Sequence, residues 1–462
     1  MNKICYRALN RFQIYTFNGD VRLCGWMRDM YLGNLIDNTV EELFNNESAI
    51  RIRNRLLDQD YSMCMEDSCP YIANNTVGDI LVDYDSEQRF PTQLALGFEQ
   101  TCNYACTGCT FHSKPHGVDA EQLEKNYSII EERVREALPY VKSITANGCG
   151  ELFASKHILQ LLSEWNPSKD CKDVSASLET NGSLLDESHW RKIENLGNYP
   201  LSVSISIMSF NEDIYRYLSG TKLPITQIEN NLRFVKSLRE NGVINSLELC
   251  TVVQEQNFRE MPEFTRRCIE EFGADSVRLR PYAAWGAERP DVAWFKNPRN
   301  PRHPLYSEYK KVMSSEIFKH PAVDDWSGGH DAEDVSFSPY DIAKKELAIM
   351  EHFWLNSDAL IRKIYELTPG CNGKVAVYGV SDIAKSLVRK LDSEDRIKLE
   401  YMIDRDCVDW FFEGKRIWRH IHLDSQDKNL LVIVAIFERN EEVVSFLKTK
   451  GFMNVVTLKS LV

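Results

Sequence analysis

The chain has 462 residues, 43% hydrophobic and 27% charged, with a net charge of −13. At roughly 150 residues per domain it is long enough for two to four cores. The acidic balance argues against a general nucleic-acid binder, which would carry a basic face. No apolar run reaches the ~20 residues that span a bilayer, and the first residues lack the apolar core of a secretory signal, so a cytoplasmic location is expected.

In chain order, residues 1–90 hold four cysteines, Cys5, Cys24, Cys64 and Cys69. Asn18-Gly19 between β-rich runs predicts a hairpin, and Thr39 is placed to cap a helix over 40–57. From 91 to 283 apolar strand-like runs alternate with amphipathic helices. Strands are predicted at 94–99, 142–147, 174–179, 201–208, 246–253 and 275–281, and helices at 120–138, 156–165, 186–196, 225–241 and 260–272. This alternation predicts βαβ units and a parallel sheet. Six units are too few to close an eight-stranded barrel, so an open partial (βα)6 barrel is expected, with its site at the C-terminal strand ends. Residues 284–366 read as an irregular covering segment with helices near 304–315 and 340–366. The basic stretch from Lys296 to His303 reads as a solvated loop. Residues 367–462 read as a last α/β domain.

Thirteen cysteines are many for a cytoplasmic chain, where crowded thiols hold metal more often than they form bridges. Cys102, Cys106 and Cys109 lie within eight residues, directly after the first barrel strand. Three thiolates at this spacing can hold three corners of a cubane cluster and leave the fourth iron open to a small molecule. Zinc completed by His112 or His116 is the rival reading. Cys171, Cys250, Cys268, Cys371 and Cys407 stand apart and read as small buried hydrophobes.

The CxxxCxxC loop after the first strand of a (βα)6 barrel resembles the radical S-adenosylmethionine (SAM) superfamily. Asn147-Gly148-Cys149-Gly150-Glu151 ends the second strand and is similar to the family's Gly-Gly-Glu-type motif. The resemblance implies that Gly148, Gly150 and Glu151 hold the methionyl amino group of SAM. Asn181, in the turn Thr180-Asn181-Gly182, resembles the segment beside the SAM ribose or substrate. Ser204 and Ser206 match the family's Ser-Ile-Asp strand, although Met208 replaces the acid. Gly108 stands where an aromatic residue is frequent, leaving adenine stacking to Tyr104 or Phe111. Ser219 stands in place of an arginine, whose carboxylate-binding role would fall to Arg278 or Arg280, with a solvated salt bridge as the alternative reading of either. Cys149 is a candidate hydrogen-atom donor, with packing as the alternative. The resemblance implies a [4Fe–4S] cluster with one open iron, bound SAM, and a flavodoxin- or ferredoxin-like electron donor.

The spacing of Cys5, Gly19, Cys24, Gly33-Asn34-Leu35, Cys64 and Cys69 resembles the SPASM/twitch auxiliary-cluster module, here preceding the barrel. It implies a second, fully ligated [4Fe–4S] cluster; zinc on the same thiolates is the alternative. In the last domain, Gly379, Ser381 and Asp404 form a weakened dinucleotide fingerprint. The domain resembles Rossmann-like modules, which implies either a bound nucleotide or a docking role. The expected substrate is a small molecule, a sugar or nucleotide-sugar undergoing oxidation, epimerisation or rearrangement. The alternatives are a peptide-modifying maturase and a non-catalytic metal-binding scaffold.

Overall fold

The structure is a computed structural model that describes residues 3–27, 31–65, 69–109, 120–146, 149–168, 171, 173–283, 290–325, 357–371, 373–405, 411–436 and 440–461. It divides into two compact units, one formed mainly by residues up to 334 and the other mainly by 335–462. Among the described residues no helix is long and apolar enough to cross a membrane.

The larger unit is organised by a ten-stranded sheet. Its centre is six consecutive parallel strands: β6 (Gln93–Leu96), β7 (Ser143–Ala146), β8 (Ser175–Thr180), β9 (Leu201–Ser206), β10 (Ser246–Val253) and β11 (Ser276–Pro281). Each falls within three residues of its expected bounds. The sheet extends beyond the six at both edges. Before them comes the N-terminal region: β2 (Arg11–Ile14) pairs parallel with β6, followed by β3 (Asp20–Arg22) and β4 (Tyr31–Asn34) in antiparallel order. The hairpin expected at Asn18-Gly19 is there, with Gly19 at φ +75°. β2 thus offers the edge of β6 a parallel partner, and the N-terminal strands β2 to β4 join the ten-stranded sheet. β1 (Lys3–Cys5) and β5 (Leu81–Asp83) form a separate two-stranded ladder. At the far edge β12 (Val323–Asp325) pairs parallel with β11, inside a segment expected to be irregular. Three residues, two of them acidic, carry almost no strand signal. Arg278 pins this strand through Asp324 at 3.1 Å.

Side-chain alternation in the central strands decides where a site can lie. Leu201, Val203 and Ile205 are buried, whereas Ser202, Ser204 and Ser206 are exposed or half-buried. β8 repeats this with Ala176 and Leu178 against Ser175, Ser177 and Glu179. The apolar set packs under helices such as Ile225–Glu240 and Met261–Glu270, which bury Ile228, Leu232, Phe264 and Cys268. A parallel sheet covered on both faces reads as continuously apolar. Here one face is polar, so that face lines a site.

The expected single helix over 40–57 is two helices, Val40–Phe44 and Glu47–Leu57, broken where Asn46 caps the second. Thr39 and Glu42 form a reciprocal capping box on the first. The Lys296–His303 stretch is not a solvated loop. Lys296, Asn300 and His303 are buried, and the His303 ring packs on Trp294 with its Nε2 3.0 Å from the Phe295 carbonyl oxygen.

The smaller unit has a six-stranded sheet: β13 (Lys374–Tyr378), β14 (Lys398–Ile403), β15 (Phe411–Phe412), β16 (Lys415–Trp418), β17 (Leu431–Val434) and β18 (Val455–Thr457). Their spatial order is β15-β16-β14-β13-β17-β18, and all but β15 run parallel. The order reverses between β13 and β17. Val375 and Val377 pack on Ile383 and Leu387 on one side, while Ala376 and Tyr378 belong to a second core with Leu447 and Phe452. This sheet is apolar on both faces, as two layers of helices require.

Candidate functional site

The loop from Cys102 to Cys109 follows β6 and is clamped from two sides. On one side Ala105 N–H donates to the Ser219 carbonyl at 3.0 Å and Thr107 N–H to the Leu218 carbonyl at 2.9 Å. Gly220 caps that helix, Glu212–Ser219, at φ +62°, and a Cβ there would overlap the Ala105 carbonyl. Ser219 is buried with its hydroxyl on the Tyr215 carbonyl, so it supports this clamp and does not face a ligand. On the other side the Thr101 carbonyl accepts from Glu151 N–H at 2.7 Å. Gly150 lies so close that a Cβ would overlap Thr101 and stand 2.9 Å from Gln100 C.

Within the loop, Gly108 has φ +82° and lets Cys109 N–H return to the Cys106 carbonyl at 3.2 Å. This explains glycine where an aromatic residue was expected. Tyr104 is no adenine platform: it is 7% exposed, packed edge-on against Tyr215, with the two hydroxyls hydrogen-bonded. Phe111, His112 and His116 lie outside the described residues. Asn103 is stitched to the turn after β8, donating to Ser183 Oγ at 2.8 Å and accepting from Asn181 Nδ2 at 3.0 Å.

Burial pushes the Cys102 thiol up and the Cys106 thiol up to about 12, and the neighbouring Cys109 and Cys102 thiols add to the latter shift. The three sulfurs therefore share one neighbourhood that disfavours bare thiolates. Bound iron stabilises thiolates directly, and soft sulfur donors suit an iron–sulfur cluster. Among the described residues no three His, Cys, Asp or Glu side chains converge as a cage for a single ion. The donor set fits a cluster.

Glu151 is 1% exposed and ties two turns together. Its carboxylate accepts from Thr180 Oγ1, from Asn181 N–H at 2.7 Å and from Phe153 N–H at 3.1 Å. Burial raises its pKa, and these donors oppose the rise. Asn147 and Gly148 lie outside the described residues. Cys149 donates to the Tyr15 carbonyl at 3.0 Å and so faces the N-terminal hairpin. Burial pushes its pKa up to about 12. Cys149 is therefore expected to escape alkylation by iodoacetamide at pH 8 in the native protein and to react in urea; rapid native labelling by peptide mapping would contradict this placement.

On the polar face Ser204 Oγ donates to Glu248 at 2.8 Å, and Ser206 lies 3.2 Å from Cys250 Sγ. Cys250 is the small buried residue expected, with its sulfur against Ser204 and Ser206. Arg278 bridges Glu248 at 2.6 Å and Asp324 at 3.1 Å, which neutralises it. Arg280, two residues on, shares the face and acts on Glu179, whose carboxyl is raised by burial against that attraction.

Backbone contacts tie together the segments that carry the four N-terminal cysteines. Cys5 ends β1 and receives the backbone N–H groups of Arg7 and Ala8. Cys24 follows β3, with Trp26 N–H 3.5 Å from its sulfur. Met27 bridges to Cys64, and Met65 N–H donates to the Trp26 carbonyl at 2.8 Å. Cys69 N–H donates to the Met65 carbonyl at 2.8 Å. The Cys64 thiol is pushed up to about 12, by burial first and then by Cys24, Cys69 and Cys5. Cys64 is thus the thiol that senses the other three.

In the smaller unit Gly379 has φ +110°, and its N–H donates to the Ile403 carbonyl, directly before Asp404, at 2.8 Å. Ser381 caps the helix Asp382–Asp392, and its hydroxyl donates to the Ala435 carbonyl at 3.1 Å. The three fingerprint positions thus stand together at the C-terminal ends of β13 and β14. Sequence reasoning missed Gly220 and Asn103 as loop-holding residues. A glycine after an amphipathic run signals a helix end, but not what that end touches.

The radical SAM superfamily profile matches residues 98–268, and the profile of SPASM, an iron–sulfur cluster-binding domain, matches residues 5–70. Residues 5–70 thus resemble an iron–sulfur cluster-binding SPASM domain and residues 98–268 a radical SAM domain. The first domain implies auxiliary iron–sulfur clusters and the second implies a [4Fe–4S] cluster and SAM. Solved structures that match include SuiB of Streptococcus suis, at 16% identity over 70% of each chain with a TM-score of 0.34. SuiB bound to S-adenosylmethionine matches at 14% over 70% of each chain, also with a TM-score of 0.34. The radical S-adenosylmethionine methyltransferase TsrM from Kitasatospora setae matches at 13%, over 40% of this chain and 36% of its own, with a TM-score of 0.28. No curated protein matches the sequence.

Proposed function

We propose that this protein is a radical SAM enzyme whose Cys102, Cys106 and Cys109 hold the SAM-binding cluster and whose Cys5, Cys24, Cys64 and Cys69 hold an auxiliary cluster. The observation that carries the reading is the double clamp on the three-cysteine loop, which joins it to the Gly150-Glu151 turn and to the Ser219-Gly220 cap. When bound, the cluster and SAM supply a reducing electron and a 5′-deoxyadenosyl radical that takes hydrogen from substrate. The chain's own residues set the geometry. Glu151 and Asn181 hold the turns after β7 and β8 against the loop, which fixes where a ligand of the open iron sits. Ser204 and Ser206 on the polar face are then placed towards the ribose or the substrate.

The domains are read as 1–90 auxiliary module, 91–283 partial (βα)6 barrel, 284–366 covering segment and 367–462 Rossmann-like domain. The reversed strand order and the Gly379, Ser381 and Asp404 grouping support the last assignment and a nucleotide beside it. A hydroxyl- and charge-lined face favours a polar substrate, which supports a sugar or nucleotide-sugar. A peptide-modifying role is compatible with the same domains.

Anaerobic reconstitution with iron counting tests the site assignment. About eight irons per chain are expected, falling to about four when either cysteine set is changed to alanine. A wild type saturating at about four would remove the auxiliary cluster. Stimulation of SAM cleavage by nucleotide-sugars and not by peptides supports the sugar reading, and the reverse supports peptide modification.

A further inference from the structure

Glu99 lies three residues before Cys102, on the segment that leads from β6 into the cysteine loop, and it is 4% exposed. Its carboxylate accepts from three consecutive backbone groups. Lys156 N–H donates to Oε1 at 2.9 Å, and His157 and Ile158 N–H donate to Oε2 at 2.9 and 3.3 Å. These are the first three N–H groups of the helix Lys156–Glu164, which have no partner within the helix. Ser155 stands at the N-cap, but its side chain does not cap. Its hydroxyl donates instead to the Glu151 carbonyl at 2.9 Å. The cap is supplied by Glu99, 57 residues earlier in the chain than Lys156. A carboxylate in this place also answers the helix dipole.

Two stretches of chain are thereby fastened to each other twice. At one end of residues 150–158, Glu151 N–H donates to the Thr101 carbonyl at 2.7 Å, and a Cβ on Gly150 would stand 2.9 Å from the Glu99 carbonyl oxygen. At the other end the three N–H groups hold the Glu99 carboxylate. Residues 99–101 therefore fix both ends of the segment that carries the Gly150-Glu151 turn. The surroundings are equally tied. Gln100 N–H donates to Tyr127 Oη at 3.3 Å, and the buried His157 ring packs on Tyr127 with its Nδ1 on Glu131 Oε2. Tyr127 and Glu131 both belong to the helix Ala120–Ala137. Among the described residues every hydrogen-bond partner of Glu99 is a backbone N–H, the pattern of an ionised carboxylate. Burial makes each of those donors costly to leave unmet.

We propose that Glu99 is a positioning residue for SAM: it fixes where the Gly150-Glu151 turn stands relative to the three-cysteine loop, and acts on the ligand through that turn. The inference rests on the radical SAM reading above. The loop has an independent hold in the Ser219 and Leu218 carbonyls. Loss of the Glu99 contact therefore frees the turn more than the loop, and SAM binding suffers before cluster loading does. A glutamine here keeps the shape but turns an NH2 group towards backbone donors, which leaves at least one N–H unmet.

The test compares wild type, Glu99→Gln and Glu99→Asp as anaerobically reconstituted full chains. Iron content, SAM affinity by equilibrium dialysis, and KM and kcat for SAM cleavage are measured on each. Glu99→Gln is expected to keep the wild-type iron content and a kcat within about twofold, while Kd and KM for SAM rise about tenfold. Glu99→Asp, which keeps the charge one methylene short of the helix, is expected to recover part of that loss. A merely structural role would instead lower iron and kcat together and leave KM alone. Wild-type Kd and KM in a loaded Glu99→Gln overturn the proposal and leave the radical SAM reading intact, as does iron loss that accounts for all of the lost cleavage. If Glu99→Gln does not fold, Glu99→Asp decides: a raised KM at wild-type iron supports the proposal, and an unchanged KM overturns it. A loaded wild type that neither binds nor cleaves SAM overturns the enzyme reading and this proposal together.

Discussion

Gly220→Ala is expected to abolish loading of the three-cysteine loop while leaving the sheet folded. The residue sits at φ +62°, a region that costs a non-glycine residue about 1 kcal/mol. Its new methyl group would overlap the Ala105 carbonyl and approach the Ala105 carbon to 2.8 Å. Both contacts are backbone, which cannot rotate away, and overpacking of this kind costs about 1–3 kcal/mol more. The cheapest relief is to release the Ala105–Ser219 and Thr107–Leu218 hydrogen bonds, since the loop has fewer other anchors than the helix. Iron content is expected to fall by about four per chain, with SAM cleavage down roughly a hundredfold or more, about 2.7 kcal/mol of lost stabilisation. Circular dichroism would show the helices and sheet retained. Wild-type iron and wild-type cleavage would remove the clamp from the account.

The second large effect is expected at Glu151. Alanine there leaves the Thr180 hydroxyl and the Asn181 and Phe153 N–H groups without their acceptor, at about 1–3 kcal/mol for each that stays buried. The turns after β7 and β8 then separate, and SAM affinity is expected to fall at least tenfold, or about 1.4 kcal/mol. Glu151→Gln keeps one acceptor oxygen and turns a donor towards its neighbours, so an intermediate loss is expected by equilibrium dialysis. The pH dependence has a fixed sign. Burial raises the folded carboxyl pKa above its ordinary 4.5, so its stabilising contribution is full below that value and is lost as pH rises through the folded value. Glu151→Gln should flatten that slope in denaturant titrations; an unchanged slope would place the titration elsewhere.

Much of this architecture is legible in the sequence. The six central strands show as apolar runs because one side of each packs under helices, and their alternation, as in Leu201 to Ser206, also marks the polar side. The cysteine spacing and the residues Gly150 and Glu151 declare themselves because their chemistry is local to a few positions. The unread parts depend on long-range pairing. Nothing within Arg11–Ile14 says that it will lie beside Gln93–Leu96. Val323–Asp325 is a strand because Arg278 and β11 make it one. The buried state of Lys296 and His303 follows from packing by Trp294 and Phe295, not from their own polarity. Cys149 is turned to Tyr15 by a hairpin about 130 residues away in sequence, so its role as a tie is invisible locally.

The central claim is that the Cys102, Cys106 and Cys109 loop carries the cluster that cleaves SAM. The most direct measurement is 5′-deoxyadenosine formation by anaerobically reconstituted, dithionite-reduced protein, comparing wild type with Cys102/Cys106/Cys109→Ala. The account predicts 5′-deoxyadenosine and methionine in equal amounts from wild type and none above background from the variant, with the auxiliary iron retained. Cleavage by the variant at the wild-type rate, or none by a fully loaded wild type, would contradict it.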